Sequence, residues 1–460
     1  MKRYWFKQAY LDCGWVAGVT VTVSEAGLID SVIGETAPEE AQVINFAAIP
    51  GVPNSHSHAF QRAMAGLSEK ISATHDTFWS WRKIMYDFAH RIAPEDQRAI
   101  AAQLYVEMLK AGYTSVAEFH YLHHQPSGQP YAEPAALSLA IMDAAQQAQI
   151  NLTLLPVLYM SSDFGGAPLK PEQQMFANTT EQYRQLMSTL AGRCDQLSEV
   201  TLGAAFHSLR AVPADAMAET LRFLDSLDQS MPIHIHIAEQ IAEVEATLGW
   251  SGLRPVEWLF RQHTIDRRWC LVHATHLSSE ELSLIAASGA TVSLCPTTEA
   301  NLGDGFFPLR EFLQEGGSIA IGSDSNTSVS PVEELRLLEY GQRLVHQARN
   351  IAASPEIPQT GTRLLNAVWN SGEKVMGVPV GKIAAGYLAD IVILDTDAAD
   401  FAGKTASDIL NTVVFCGNSN RVRDVMCRGK WVVKNFSHVN ERAISAAYLH
   451  TISRLQAAAS

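Results

Sequence analysis

Histidine pairs with carboxylates nearby are the part of this sequence that could do chemistry. The stretch "GVPNSHSHAFQ" places His56 and His58 two residues apart, directly after an apolar run. Alternate residues of a strand share one face, so both imidazoles are expected to point the same way. Two neutral imidazoles on one face can bind one Zn²⁺ or Fe²⁺ ion, although the pair alone also fits hydrogen-bonded histidines in a protein core.

Three later sites add ligand groups and proton-transfer groups. The stretch "HIHIAE" brings His236 and Glu239, and "LVHATH" brings His273. The turn "GSDSN" carries Asp324. A catalytic metal site needs three or more convergent ligands with an acid or base beside them. These residues supply both, so they predict a catalytic metal centre wherever the fold brings them together.

Short apolar runs are the elements that must position these side chains. Eight of them alternate with segments of helical periodicity, which indicates right-handed crossovers and a parallel sheet. Eight such units predict a closed α/β barrel of the (β/α)8, TIM-like type, with its active site at the carboxyl ends of the strands. The histidines and carboxylates named above follow the ends of these runs. The runs are "NFAAIPGVPN", "TSVAEFHYL", "NLTLLPVLYM", "VTLGAAFHSL", "MPIHIHIA", "WCLVHATH", "ATVSLCPTT" and "SIAIGSDSN".

The two ends of the chain follow a different pattern. The stretch "VAGVTVTVSEAGLIDSVIGE" near the start alternates like strands around a turn, and so do "AGYLADIVILDTD" and "VVFCGNSNRVRDVMCRGKWVVKN" near the finish. Neither end makes a domain alone, so we expect one small β-sandwich domain built from both. The predicted boundaries are 1–48 and 377–437 for the β-domain, 49–376 for the barrel, and 438–460 for a C-terminal helix.

Composition bounds the class of protein and its partners. The 460 residues are 47% hydrophobic and 18% charged, which is typical of a protein with a large core. The net charge of −14 argues against nucleic acid and anionic membranes as partners. No apolar run has the length of a signal-peptide core or a membrane span. The six cysteines are scattered without a CxxC pair, so we expect reduced thiols in a cytoplasmic protein.

The order of these motifs resembles the amidohydrolase superfamily: HxH after strand one, HxxE after strand five, His after strand six and Asp after strand eight. More narrowly, "PNSHSHAFQRAMAGL", "AEFHYLHH", "FHSLRAV", "TEANLGDG" and "GSDSNTSVS" resemble its family of N-formimino-L-glutamate deiminases, enzymes of bacterial histidine degradation. The resemblance implies one divalent metal per chain, Zn²⁺ by default with Fe²⁺ open. Many members carry a metal-bridging lysine after strand four, and "AAFHSLR" has none, which favours a mononuclear site. The implied metal ligands are His56, His58, His236 and Asp324.

The same resemblance implies a reaction and a substrate pocket. Hydroxide would attack the formimino carbon, His273 and Glu239 would handle protons, and ammonia would leave. Either His273 or Asp324 would take the first proton, and the sequence leaves this choice open. The small-molecule substrate carries two carboxylates, which arginine binds well through its paired N–H groups, without either carboxylate being assigned to either arginine. The implied substrate contacts are Gln61, Arg82, Tyr121, His207 and Arg210.

Other functions remain open at this point. A mononuclear deaminase of a purine, pterin or triazine ring would share the mechanism and favour aromatic and amide contacts over two arginines. A binuclear hydrolase of amide or lactam rings would need the bridging lysine that is missing here. A barrel that only binds a metal or ligand would leave Glu239 and His273 unexplained, since structural metal sites are usually closed by their ligands. By analogy with other barrels we expect a homodimer.

Overall fold

The computed structural model describes residues 1–69 and 78–457. In these ranges the strands are β1 (Lys2–Leu11), β2 (Gly14–Val23), β3 (Ile29–Ile33), β4 (Gln42–Pro50), β5 (Val52–Ser57), β6 (Tyr113–His120), β7 (Asn151–Leu158), β8 (Val200–Leu202), β9 (Ala204–Phe206), β10 (Ile233–Ile237), β11 (Trp269–His273), β12 (Thr291–Leu294), β13 (Ser318–Ile321), β14 (Ile391–Leu394), β15 (Val422–Cys427), β16 (Lys430–Lys434) and β17 (Ser437–His438).

The α-helices of the same ranges lie mostly between the strands of the barrel. They are α1 (Phe78–Ala89), α2 (Pro94–Ala111), α3 (Ala136–Ala148), α4 (Thr180–Cys194), α5 (Ala214–Leu227), α6 (Ile241–Ser251), α7 (Pro255–Gln262), α8 (Ser279–Ser288), α9 (Pro296–Leu302), α10 (Leu309–Gln314), α11 (Pro331–His346), α12 (Thr360–Met376), α13 (Ile409–Phe415) and α14 (Glu441–Ala457).

A parallel barrel forms the centre of the molecule. Its strands follow the order β5, β6, β7, β9, β10, β11, β12 and β13, and β8 also pairs with β7. The ring closes between its first and last strands through a parallel bridge from Ser57 to Asp324. The strands are almost wholly buried on both faces, which explains why they read as continuous apolar runs. The predicted (β/α)8 barrel is confirmed.

Two of the predicted runs are divided by a glycine. The first run supplies β4 and β5, and any side chain at Gly51 between them would collide with the side chain of Thr114. The fourth run is broken into β8 and β9 at Gly203, where a β-carbon would lie 2.5 Å from Leu155 Cδ2. Each break therefore lies where another strand of the barrel passes too close for a side chain.

Helix ends follow ordinary capping chemistry, which fixes where each crossover returns to the barrel. Helix α2 begins at Pro94, whose ring suits the first turn, and stops at Gly112 with φ of 102°. Helix α8 begins after Ser278, whose hydroxyl accepts a hydrogen bond from the Glu281 backbone N–H at 3.2 Å. No helix in the described ranges combines the length and the apolar character needed to cross a bilayer.

Both ends of the chain build a second, mixed sheet, as predicted. Its order is β17, β16, β15, β14, β4, β1, β2 and β3. The Tyr4 ring of β1 meets the Trp431 ring of β16 edge-on at 5.8 Å, although three strands separate them within the sheet. The sheet must therefore curl over a core of its own, which includes Phe6, Val21 and Ile391. The exact domain boundaries remain predictions.

Candidate active site

Three strand ends, of β5, β10 and β13, converge at one mouth of the barrel. His56 lies in β5 and His58 follows it, His236 lies in β10, and Asp324 follows β13. The Nε2 atom of His56 lies 3.1 Å from that of His58 and 3.0 Å from that of His236. The Asp324 Oδ1 atom lies 3.3 Å from His58 Nε2 and 3.6 Å from His56 Nε2. The four predicted metal ligands thus form one buried cluster.

The closure of the barrel holds the ligands of the first and last strands together. The backbone N–H of Asp324 donates to the His56 carbonyl at 3.0 Å, and the N–H of His58 donates to the Asp324 carbonyl at 2.9 Å. The side chain of Asn326 donates to the carbonyls of both Asp324 and His58, at 2.9 and 3.1 Å. Asn54 and Ser323 are joined by two further hydrogen bonds beneath them.

Two of the histidines have tautomers fixed by the backbone. The Nδ1–H of His58 donates to the Phe119 carbonyl at 2.9 Å, and the Nδ1–H of His236 donates to the His207 carbonyl at 3.0 Å. A carbonyl can only accept, so each Nδ1 carries a proton. Burial lowers the pKa of both imidazoles, which keeps the rings neutral. Each Nε2 atom therefore presents a bare lone pair to the cluster.

This donor set fits a divalent metal. Burial also lowers the pKa of His56, to about 3, although Asp324 opposes the effect. A proton on His56 Nε2 could form a hydrogen bond to only one of its two neighbours, His58 Nε2 and His236 Nε2. The remaining Nε2 lone pairs would then face each other without a partner unless a cation lay between them. Nitrogens bound tetrahedrally to zinc at about 2.0 to 2.1 Å lie about 3.3 to 3.4 Å apart, close to the spacings seen here.

Asp324 links the ligand cluster to His273. Burial pushes the pKa of Asp324 up, but the adjacent histidines more than offset this and hold it below its usual range. While Oδ1 faces His56 and His58, Oδ2 lies 3.6 Å from His273 Nε2. The backbone of Asp324 has φ of 46°, an uncommon conformation for a residue with a side chain. The turn after β13 therefore places the Asp324 carboxylate between the ligand cluster on one side and His273 on the other.

His273 lies among three carboxylates at the end of β11. Its Nδ1 is 3.2 Å from Glu299 Oε1, and its Nε2 is 3.7 Å from Glu239 Oε1. Burial alone would lower the pKa of His273, but the carboxylates raise it to about 10. Burial raises the pKa of Glu239 to about 7 although His273 opposes it. Glu239 and His273 therefore lie close enough for a proton to pass between them, directly or through one water.

One cavity of about 660 Å³, including its open mouth, lies over this cluster. Its wall has an aromatic part, formed by Trp81, Tyr86 and Phe176 among others. The residues predicted for substrate binding and proton transfer all line it. They are Gln61, Arg82, Tyr121, His207, Arg210, Glu239, His273 and Asp324, and the ligands His58 and His236 line it as well.

The polar wall of the cavity is preorganised by hydrogen bonds. The Gln61 Nε2–H donates to the Tyr121 hydroxyl at 2.9 Å, and Arg82 Nη2–H donates to the Tyr159 hydroxyl at 3.3 Å. The Arg82 guanidinium also lies over the Tyr86 ring, 5.0 Å from its centre. These contacts hold the Arg82 guanidinium at the cavity wall, where such a group can bind an anionic substrate.

Comparison with known proteins places the chain in a family. The amidohydrolase family model matches residues 47–432. The formimidoylglutamate deiminase of Pseudomonas aeruginosa is 44% identical over 455 residues, which is 99% of this chain and 100% of that enzyme. The chain belongs to the amidohydrolase family. A solved amidohydrolase from Brucella melitensis superposes with a TM-score of 0.93 at 40% identity, covering 99% of this chain and 100% of that one.

More distant relatives share the same family architecture. The 5-methylthioadenosine/S-adenosylhomocysteine deaminase of Natronomonas pharaonis is 26% identical over 84% of this chain and 81% of that enzyme. This amidohydrolase is therefore a metal-dependent hydrolase, and the predicted family and barrel are confirmed. The particular metal and the roles of single residues remain predictions.

Sequence reasoning missed three residues of this amidohydrolase's site. The Tyr159 hydroxyl accepts hydrogen bonds from Arg82 and, at 2.8 Å, from Gln173. The Glu243 carboxylate accepts from the backbone N–H of Glu239 at 3.1 Å. Glu299 contacts His273 as described above. Tyr159 directly follows β7, so its position at a strand end could have predicted a place in the site. Glu243 lies in α6, and nothing in the local sequence indicates that it belongs to the site.

Other histidines of the motifs lie outside the ligand cluster. His234 shares a strand with His236, but its Nε2 bonds the Val375 carbonyl of α12 at 3.0 Å. The Nε2–H of His276 donates to the Asp304 carbonyl at 2.8 Å, on the loop after α9. His123 likewise donates to a backbone carbonyl. These three rings make hydrogen bonds to backbone carbonyls and lie outside the ligand cluster.

Proposed function

We propose that this amidohydrolase converts N-formimino-L-glutamate and water to N-formyl-L-glutamate and ammonia, a step of histidine degradation. The observation that carries the proposal is one cavity lined both by the ligand cluster and by two arginines, Arg82 and Arg210. A diacid with a hydrolysable C=N carbon needs both features. The full-length likeness to the formimidoylglutamate deiminase of P. aeruginosa supports the same substrate.

The residues that would hold the metal are His56, His58, His236 and Asp324. Three imidazoles and one carboxylate suit Zn²⁺, and Fe²⁺ is the second choice because it takes the same ligands. When bound, such an ion lowers the pKa of water enough to supply hydroxide near neutral pH.

The chain's own groups manage the protons of the reaction. A water oxygen bonds to the formimino carbon, the bond from that carbon to the terminal nitrogen breaks, and that nitrogen leaves as ammonia. Asp324 Oδ2 and His273 Nε2 lie 3.6 Å apart, so a water between them can pass its proton to the Asp324 carboxylate, or to His273 when that ring is neutral. Glu239, close to His273 and with a pKa raised to about 7 by burial, is suited to give a proton to the departing nitrogen.

The two carboxylates of the substrate would bind to the polar wall. Arg82 is held by Tyr159 and by the Tyr86 ring, and Arg210 lines the same cavity as Glu239. Charge-assisted hydrogen bonds from guanidinium groups are the strongest available to a carboxylate. We infer that the remaining contacts come from polar side chains of the same wall, namely Gln61, Tyr121 and His207.

We also propose a cytoplasmic homodimer. The six cysteines are all free thiols, which suits a reducing compartment. The dimer rests on analogy with other barrels and is checked directly by the mass of the purified protein in solution.

Ammonia release tests the proposed substrate. Purified protein loaded with one equivalent of zinc is assayed with N-formimino-L-glutamate, N-formimino-L-aspartate and guanine. We expect fast turnover of the glutamate derivative, slower turnover of the shorter diacid and none of guanine. Turnover of guanine without turnover of either diacid would contradict the proposal and favour the ring-deaminase alternative.

A further inference from the structure

We propose that Glu299 is a positioning residue that holds the His273 imidazole with its proton on Nδ1 and its Nε2 turned to the reacting atoms. The proposal deepens the proposed function, on which its kinetic test rests. It concerns a residue of α9 that does not reach the substrate itself.

The Glu299 side chain is held in place by contacts other than its contact with His273. Its side chain is buried, and its Oε1 atom accepts the backbone N–H of Cys295 at 2.8 Å. The same oxygen lies 3.2 Å from His273 Nδ1. Among the described residues, its helix neighbours Thr298 and Leu302 line the cavity, but Glu299 does not. The carboxylate therefore acts on His273 from behind.

This contact assigns the two nitrogens of His273 to different tasks. A carboxylate oxygen that already accepts one N–H can accept a second, so Nδ1 is the donor and carries a proton. Nε2 is then the nitrogen that faces Asp324 and Glu239, at 3.6 and 3.7 Å. A carboxylate behind an imidazole fixes both its tautomer and its ring orientation.

The backbone of His273 needs such support. It has φ of 68°, and Ala274 after it has φ of 49°, both in the left-handed region that residues with side chains rarely adopt. Conformations of this kind persist where surrounding contacts hold them. Glu299 is the partner that bonds the imidazole on the side away from the cavity.

The chemistry of the bond predicts which substitutions are tolerated. Because a single oxygen takes both hydrogen bonds, Glu299→Gln can keep both through its amide oxygen, whereas Glu299→Ala removes both. We expect Glu299→Ala to lower kcat about 10- to 100-fold, the usual cost of losing such a partner. KM should stay within about twofold, since Glu299 touches no substrate, and Glu299→Gln should recover most of kcat.

The matched control is Thr297→Val in the same helix. The Thr297 hydroxyl donates to Glu334 Oε1 at 2.6 Å, and among the described residues it makes no hydrogen bond to His273. If Glu299 only stabilised the fold of α9, Thr297→Val and Glu299→Ala should have similar effects on kcat and on stability. We expect Thr297→Val to lose stability but to keep kcat within about twofold, because α9 is held at a different point.

A second readout needs no substrate. In zinc-loaded protein with ¹⁵N-labelled histidine, the His273 Nδ1–H signal, assigned by its absence in His273→Asn, should persist in Glu299→Gln and vanish in Glu299→Ala. An unchanged signal in Glu299→Ala, or equal kcat losses in both Glu299 variants, would overturn the proposal. If wild-type protein fails to turn over N-formimino-L-glutamate, the proposed function fails, while the NMR result still decides the role of Glu299.

Discussion

Substitution of Gly322 by alanine should disrupt the metal site without changing any ligand. Gly322 directly follows β13 and packs against His56 of β5. A β-carbon there would lie 2.7 Å from His56 Cβ, 2.8 Å from its carbonyl oxygen and 2.9 Å from its backbone nitrogen. Because two of these atoms are backbone, no side-chain rotation relieves the collision.

The size of the effect follows from these distances. Carbon atoms in contact prefer about 3.5 to 4.0 Å, so β5 and β13 must separate by about 1 Å. That shift stretches the hydrogen bonds between His56, His58 and Asp324 that close the barrel. We expect a loss of about 1 to 3 kcal/mol in the free energy of unfolding, as for other overpacked cores. We expect kcat/KM to fall about 100-fold, the cost of a 1 Å misplacement at a reacting centre.

Urea unfolding, bound zinc per chain and kcat/KM measure the three consequences. The matched control is Gly192→Ala, in the last turn of α4, where a β-carbon would meet no heavy atom within 4 Å outside the helix's own backbone. This control should gain up to about 1 kcal/mol, since alanine is the better helix former. Zinc content and activity of Gly322→Ala equal to those of Gly192→Ala would refute the reasoning.

Three further predictions test other parts of the account. Arg210→Met should lower kcat/KM for the diacid about 10- to 100-fold by removing a charged hydrogen-bond donor, and equal activity of wild type and variant would show that Arg210 does not bind the substrate. Removing the metal with a chelator should lower the melting temperature, and zinc should restore it in proportion to the logarithm of its free concentration; no shift would contradict the ligand cluster. Burial raises the pKa of Asp390 to about 6, so the folded chain keeps a proton that the unfolded chain has released above about pH 4. The free energy of unfolding should therefore fall by about 3 kcal/mol as pH rises from about 4 to 6. This fall should be absent in Asp390→Asn, and parallel pH profiles by urea unfolding would contradict it.

The convergence of the four proposed metal ligands could be predicted because each follows a local rule. Each lies at the end of an apolar run, and the parallel barrel brings such ends to one mouth. The two-residue spacing also predicted that His56 and His58 share one face of the strand. Their Nε2 atoms, which lie 3.1 Å apart, agree with this. Local spacing could not separate His234 from His236, because both alternate to the same side and only depth in the barrel distinguishes them.

The contacts that hold the site in place depend on residues far apart in the chain. The bonds from Asn54 to Ser323 and from Asn326 to His58 join segments more than 260 residues apart, with separations of 269 and 268. No local periodicity marks such pairs. Glu299 has no local mark either, because its contact with His273 joins α9 to the end of β11, 26 residues earlier in the chain.

Product analysis tests the central claim most directly. The formimino carbon bears two nitrogens, and in the proposed reaction its bond to the terminal nitrogen breaks. Zinc-loaded protein should convert N-formimino-L-glutamate to one N-formyl-L-glutamate and one ammonia, as measured by proton NMR and an ammonia assay on the same sample. Formation of glutamate and formamide would show that the other C–N bond breaks, and would contradict the assignment of this chain as a deiminase.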